Sequence, residues 1–493
     1  MPILSAILPE RRRHRQPCAL IPTASCLVVY RLSSCASIGM GVPVLPGERT
    51  TGPMSAARTA LEDRLQRDRD EIIAFVRRLV QVPSENPPGD TTAVFDVVTR
   101  WLEARGLDYR IVAPQPYMPN LLASVQGGNP GRHLVLNGHL DVFPAGDPAR
   151  WSDHPYSGAI RDGKLFGRGV ADMKTGTAAS ILTYAYLNEY RQELAGTLTL
   201  TVVSDEETAG RWGSQYLLEH YPEVLGDCVL NGEPSTPQLI RFGEKGMLWL
   251  AFRVTTLGGH GGYPFASPNA IRQAANLLAD LDHLSSIEVD IPPEIDEKIE
   301  AARPIFDARL GRGATDGVKR VTVNIGRIQG GTKVNMIASD CRLEVDVRCP
   351  IGCPTERVLH QLDQILQGFG HISYEILNRS EPNYHHPEAE LMSIVQWNAE
   401  QVYGIRPLPA VSLGGTDGRL WRLRGIPAVV YGPTPHHMGA ADEYVTIEEL
   451  LGTVRVHVLS AFDYLTGHPK SGDERRRVSA QRAGGGDDDA TPE

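Results

Sequence analysis

Thr197-Leu-Thr-Leu-Thr-Val-Val-Ser-Asp-Glu-Glu207 reads as a strand that ends in acid. Threonine alternates with apolar residues as far as Val203, the period of a strand, and Asp205-Glu206-Glu207 follow at once. The same arrangement recurs along the chain. His133-Leu-Val-Leu136 is a short apolar strand candidate followed by Gly138-His-Leu-Asp141. Cys228-Val-Leu230 is followed by Asn231-Gly-Glu-Pro234, and Ala428-Val-Val-Tyr431 by His436-His437. Lys174 to Tyr190 reads as a helix, with Asp172 on the loop before it. Helical patterns also run from Ala60 to Val82 and from about Thr92 to Arg105, separated by the turn Pro87-Pro88-Gly89-Asp90. Strands alternating with helices predict an α/β sheet covered by helices. Ligands collect at the carboxyl ends of strands in such a sheet, so four strands would deliver His, Asp and Glu to one rim.

The middle of the chain has another rhythm. Met247 to Thr255 reads as a strand and Asn269 to Leu281 as a helix. Val321 to Ile328 and Cys341 to Val347 read as strands, Glu356 to Leu366 as a helix, and His371 to Ile376 as a last strand. The order β-α-β-β-α-β is that of a ferredoxin-like α+β unit, with residues 285 to 320 inserted in it. The expected organisation is an extension at 1–55, a catalytic domain in two parts at 56–242 and 383–468, a lid or dimerisation domain at 243–382, and a disordered tail at 469–493. The extension contains Arg11-Arg12-Arg13-His14-Arg15 and few acids. It fits either a targeting segment or an upstream extension with Met54 as the natural start, and the second is preferred.

Composition narrows the function. The chain has 493 residues, 41% hydrophobic and 22% charged, ordinary values for a globular protein with a large core. A formal net charge of −10 argues against a nucleic-acid binder, which carries a basic stripe. The uncharged run between Arg15 and Arg31 is shorter than the roughly 20 residues of a membrane span. Seven irregularly spaced cysteines, Cys18, Cys26, Cys35, Cys228, Cys341, Cys349 and Cys353, do not read as a disulfide framework, and a reducing cytoplasm fits them best.

Alone, each polar residue at the rim has a plainer explanation. His139-Leu-Asp141 is an ordinary surface pair, Asp172 a helix cap, Glu206-Glu207 a solvated acidic pair, Glu233 a turn residue before Pro234, and His436-His437 exposed loop residues. Their joint placement in loops after strands points instead to a metal site. Histidine nitrogen and carboxylate oxygen suit zinc. Two histidines and three carboxylates are too many for one catalytic ion, and suit two ions sharing a carboxylate.

The stretches Gly138-His-Leu-Asp141, Gly167-Arg-Gly-Val-Ala-Asp-Met-Lys174, Ser204-Asp-Glu-Glu207, Asn231-Gly-Glu-Pro234 and Met438-Gly-Ala-Ala-Asp-Glu-Tyr444 make the resemblance specific. From about Arg64 to Gly467 the chain resembles the dinuclear zinc hydrolases that include acetylornithine deacetylase, succinyl-diaminopimelate desuccinylase, aminoacylase and carboxypeptidase G. The resemblance implies a zinc-hydrolase catalytic domain, its central sheet flanked by helices, interrupted by a ferredoxin-like lid. It implies two divalent ions, zinc in preference to cobalt or manganese. His139, Asp172 and Glu233 would bind one ion. Asp172, Glu207 and a late histidine would bind the other. Asp141 would orient His139, and Glu206 would be the general base, taking a proton from water and returning it to the leaving amine. Many members place the late histidine four residues before a glutamate, which from Glu443 is Gly439; this chain resembles the subgroup with a longer spacing, which selects His436 and leaves His437 open.

By the same resemblance His260, in Gly258-Gly-His-Gly-Gly262, would stabilise the oxyanion from a partner subunit, against a plain role in a glycine-rich loop. Asn335 would contact substrate, and Arg419, in Gly414-Gly-Thr-Asp-Gly-Arg419, would clamp a substrate carboxylate. A turn residue and a surface ion pair are their structural alternatives. Glutamate at 233 goes in that family with deacylases and carboxypeptidases rather than dipeptidases. The expected activity is hydrolysis of an N-acyl amino acid or related carboxylate, with a carboxypeptidase or dipeptidase as alternative, and a small peptide-like substrate and a homodimer through the inserted domain as partners. A non-catalytic binding protein that retained the fold would have lost the base or a ligand, and neither is missing.

Overall fold

Three helices, α1 (Ala56–Arg67), α2 (Arg69–Val80) and α3 (Thr92–Glu103), lead into the sheet in the computed structural model, which describes residues 55–467. The expectations for the N-terminal extension and for the tail at 469–493 lie outside the described residues, Ser55 apart. The single helical run expected from Ala60 to Val82 is two helices. They meet at Asp68, whose φ of −84° and ψ of 10° break the helix. Its carboxylate is held by Arg64 at 2.6 Å and by the Tyr186 hydroxyl at 2.9 Å.

The main sheet begins with β1 (Arg110–Gln115), β2 (Met118–Gln126) and β3 (Asn129–His139). After helix α4 (Thr175–Glu189) come β4 (Ala195–Val203), β5 (Cys228–Asn231) and β6 (Leu239–Glu244). The inserted unit follows as β7 (Gly246–Thr255), α5 (Ala270–Leu281), α6 (Pro293–Leu310), β8 (Thr322–Gly330), β9 (Asp340–Cys349), α7 (Thr355–Leu366) and β10 (Ile372–Ser380). The main layer resumes with β11 (Asn383–Tyr384), α8 (Glu390–Tyr403), β12 (Leu408–Ser412), α9 (Gly418–Arg422), β13 (Ala428–Val430) and α10 (Ile447–Thr466). No helix among the described residues is long and apolar enough to cross a membrane.

The main sheet has strand order β1-β2-β4-β3-β5-β13-β6-β11, with β12 beside β6. Its centre is parallel: β3 pairs with β4 and β5, and β5 with β13. The carboxyl ends of β3, β4, β5 and β13 therefore share one rim. Helices α4 and α10 cover one face. Thr175 to Leu187 is buried on every side, and α10 is buried along nearly its whole length. Helix α10 is not among the helices the sequence predicts; it is buried along most of its length while carrying His457, Ser460 and Asp463.

The inserted unit is a four-stranded antiparallel sheet of order β8-β9-β7-β10. Helices α5 and α7 pack on one face, over Leu248, Phe252, Leu277, Leu343, Val345 and Leu362. The chain leaves the main sheet at Lys245 and returns between Ser380 and Asn383, where a Cβ at Gly246 would collide with Pro382. The stretch 285–320 behaves differently from the unit that contains it. Ile295, Ile299, Ala302 and Phe306 form one stripe of α6 and join the core of the main sheet, beside β12.

Candidate active site

His139 ends β3, and the pairing with β4 continues one residue further, Leu140 N–H donating to Val203 O at 2.9 Å. The ring is buried. Its Nδ1 lies 2.8 Å from the Asp141 carbonyl oxygen, so Nδ1–H donates there and Nε2 is the nitrogen left for a ligand. Nε2 faces two carboxylates, Glu233 Oε1 at 3.2 Å and Asp172 Oδ1 at 3.3 Å. One ligand atom from each of His139, Asp172 and Glu233 lies within 4.8 Å of the other two. A buried ring nitrogen facing two carboxylates at this spacing calls for a positive charge between them, which a bound cation supplies.

The fold fixes each member locally. Gly176, in the first turn of α4, and Gly232 meet backbone to backbone with no room for a Cβ on either, which presses the Glu233 loop against the helix that follows Asp172. Asp172 is held from behind by Glu443, whose Oε1 accepts the N–H of Ala171 at 2.9 Å and of Asp172 at 3.4 Å. The other oxygen of Glu443 pairs with the buried Arg168 at 2.5 Å. Burial, opposed by Arg168, pushes the Glu443 carboxyl up to about 7. In the sequence Glu443 served only to count back to the late histidine. Its role had no signal beyond sharing a motif with that histidine.

Asp141 does more than face His139. Its Oδ1 is 3.4 Å from Nδ1, but its carboxylate accepts the backbone N–H of Asp205 at 2.9 Å, Glu206 at 3.2 Å and Glu207 at 3.1 Å. Asn86 adds a side-chain N–H at 2.9 Å. Burial works against the charge of Asp141, yet His139 and these donors hold its pKa below the usual value. Asp141 thus anchors the loop after β4 from which Glu206 and Glu207 diverge.

The two glutamates have different surroundings. Burial and the charge of Asp172 push Glu207 up to about 11, and its Oε1 is buried without a hydrogen-bond partner. Burial and the charge of Glu233 raise Glu206 well above the ordinary range. Glu233 is pushed up to about 7 by burial and by Asp172. Mutually repelling buried acids and an orphaned carboxylate oxygen fit a site built for divalent cations. Glu206 Oε1 is 3.3 Å from Arg419 Nη1.

The remaining expected residues lie apart from this group. His436 stacks flat on Tyr444, with ring centroids 4.4 Å apart and planes 5° apart. His437 meets the same ring edge-on and has a φ of 55°. Neither joins His139, Asp172 and Glu233 at metal-ligand spacing among the described residues. The guanidinium of Arg419, expected to be open to a substrate carboxylate, is instead taken up by Glu206 and by the carbonyls of Thr416 at 2.6 Å and Ala209 at 3.0 Å. His260 and Asn335 do come together, in the inserted unit: Gly259–His260 pairs with Met336–Ile337, and Gly261 N–H donates to Asn335 O at 2.8 Å. Both are exposed, beside exposed Tyr263, Phe265 and Val334.

Residues 135–462 match peptidase family M20/M25/M40. Succinyl-diaminopimelate desuccinylase of Cereibacter sphaeroides is 30% identical over 404 residues, spanning 80% of this chain and 98% of that protein. An M20-family metallo-carboxypeptidase from Sulfolobus solfataricus superposes with a TM-score of 0.66 at 18% identity, covering 84% of this chain and 99% of that one. A dinuclear metal-binding peptidase of the M20 family from Bacillus subtilis superposes with a TM-score of 0.54 at 17% identity, covering 83% and 99%. At such identities the structural likeness concerns the fold. The sequence match spans more than half of the chain, and this chain, a metal-dependent amide hydrolase, belongs to peptidase family M20/M25/M40.

Proposed function

We propose that the chain hydrolyses the amide bond of an N-acyl amino acid or related carboxylate, with two zinc ions as cofactor. The observation that carries this is the divergence of Glu206 and Glu207 from one anchor, Asp141. Glu207 faces the charge of Asp172 with a buried, unpartnered carboxylate oxygen, while Glu206 is paired with Arg419. His139, Asp172 and Glu233 would hold one ion; Asp172, Glu207 and His436 the other. Bound there, the ions supply Lewis acidity that polarises a carbonyl and acidifies water. The donor set, imidazole nitrogen with carboxylate oxygen, suits zinc.

Glu206 is the general base. It takes the proton of the attacking water and delivers it to the leaving nitrogen. Arg419, paired to it, fixes where that carboxylate points. The catalytic domain comprises 56–242 and 383–468 with α6 packed into its core, and the rest of the unit at 243–382 serves as lid and dimer interface, bringing His260 and Asn335 to the substrate of a partner. The four described cysteines are free and buried, which supports a reducing, cytoplasmic setting.

The test is a panel of N-acetyl, N-succinyl and N-formyl amino acids beside dipeptides, with zinc added. Turnover of an N-acyl substrate is expected. Glu206→Gln should lose about 10²- to 10⁴-fold in kcat with its metal content intact. Dipeptide cleavage without any N-acyl turnover would overturn the deacylase reading in favour of a peptidase. Metal analysis checks the late histidine: His436→Ala should fall from two ions per chain to one, and His437→Ala should keep two.

A further inference from the structure

Among the described residues, Arg419 and Arg422 beside the acids both have acceptors within the protein. Arg419 is taken up by Glu206 and two carbonyls. Arg422 donates to the Ala428 carbonyl at 2.9 Å, to Glu244 at 3.0 Å and to Asn383 at 2.9 Å. Arg241 is half-buried, yet its guanidinium makes no hydrogen bond or ion pair with any described residue.

Its place in the sheet is set by register. Thr201, Asn137, Asn231, Val430 and Arg241 lie opposite one another across β4, β3, β5, β13 and β6. Residues in such a row point to one face. Val430 is the last residue of β13 and Asn231 the last of β5, so the row lies at the carboxyl rim, two residues before Glu233. Arg241 stands two strands from β5, about 10 Å at the usual strand spacing. The acids acting on it are Glu233, Glu244 and Asp172, and burial opposes its charge. Glu244 is already satisfied by Thr416 and Arg422. Glu233 and Asp172 face His139 in the metal group. Once they serve cations, Arg241 has no anionic partner left among the described residues.

A partly desolvated guanidinium without an acceptor is costly, and its planar fork matches a carboxylate. We propose that Arg241 receives the free carboxylate of the substrate, making it the residue that selects amides of amino acids over neutral amides. This rests on the deacylase reading above. An α-carboxylate is the substrate anion nearest the reacting centre, since a single carbon joins it to the scissile nitrogen. It also reverses the expectation from sequence, which gave this role to Arg419.

The test uses the full chain loaded with zinc. N-acetyl amino acids are compared with the corresponding N-acetyl amino acid amides, for the unaltered protein, Arg241→Met and Arg241→Lys. Arg241→Met should raise KM for the acids about 10- to 100-fold with kcat little changed, and leave the amides unaffected; Arg241→Lys should recover part of the loss. Calorimetric binding of the same pairs to the Glu206→Gln protein, with and without Arg241→Met, reads the contact without turnover. Equal weakening of acid and amide, loss of metal from Arg241→Met, or a Glu206→Gln protein that binds acid no better than amide would overturn the proposal. A chain that prefers the acids in binding but hydrolyses none of them would overturn the deacylase reading and leave the Arg241 contact standing.

Discussion

Asn86 is buried and donates to three acceptors through one amide nitrogen: Asp141 at 2.9 Å, Asp205 at 3.3 Å and Thr208 at 3.1 Å. It touches none of the metal-group residues, yet it steadies the carboxylate that positions the Glu206 and Glu207 backbone. Asn86→Ala should therefore lower activity or metal affinity by about 10- to 100-fold, the usual effect of losing a group that orients a ligand. A titration with a zinc indicator beside a kcat measurement checks this; unchanged values for both would show that Asp141 holds the loop unaided. Nothing around Asn86 in the sequence marked this role, because the donor and its acceptors are 55 to 122 residues apart.

At the scale of an element, α10 shows how a buried helix carries polar groups. His457 is fully buried, and its Nε2 is 2.6 Å from the Tyr431 carbonyl, past the end of β13. Burial lowers its pKa from 6.5 to about 4. The unfolded chain, with the ordinary value, binds a proton between these limits and the folded chain does not. The stability that His457 contributes is thus complete above about pH 6.5 and falls as pH drops toward 4, by up to about 3 kcal/mol. Urea unfolding of the chelated protein at several pH values should show this slope, and His457→Gln should flatten it. Chelation removes the competing effect of metal release. An unchanged slope in the variant would place the titration elsewhere.

At the scale of the molecule, segments far apart in the chain complete one another. Arg168 and Glu443 are separated by 275 residues and form a buried pair behind Asp172. Arg58 in the first described helix binds Asp463 at 2.9 Å and Asn398 at 2.7 Å. Removing one partner of a buried pair leaves an uncompensated charge, at a cost of about 3–5 kcal/mol. Glu443→Ala should therefore lower Tm and also weaken metal binding, since it frees the backbone at Ala171 and Asp172. Differential scanning calorimetry with and without zinc separates the two effects: a drop in Tm confined to the zinc-loaded protein would mean that the pair serves the metal site alone.

The sequence by itself determined the alternation of strands and helices, the ferredoxin-like order of the inserted unit, and the gathering of acids after strands. These follow from local periods of two and 3.6 residues and from which residue types end a strand, and neighbours along the chain suffice to write them. Tertiary structure alone decided that α10 is a helix buried along most of its length, that α6 leaves its own unit for the main core, and that β1 and β2 extend the sheet. It alone decided that Asp141 anchors the Glu206 and Glu207 loop, that Glu443 backs Asp172, and that Arg419 is taken up by the protein while Arg241 has no partner among the described residues. Each of these depends on strand register and on which side chains reach one another across the sheet, contacts between residues tens to hundreds of positions apart that no local pattern encodes.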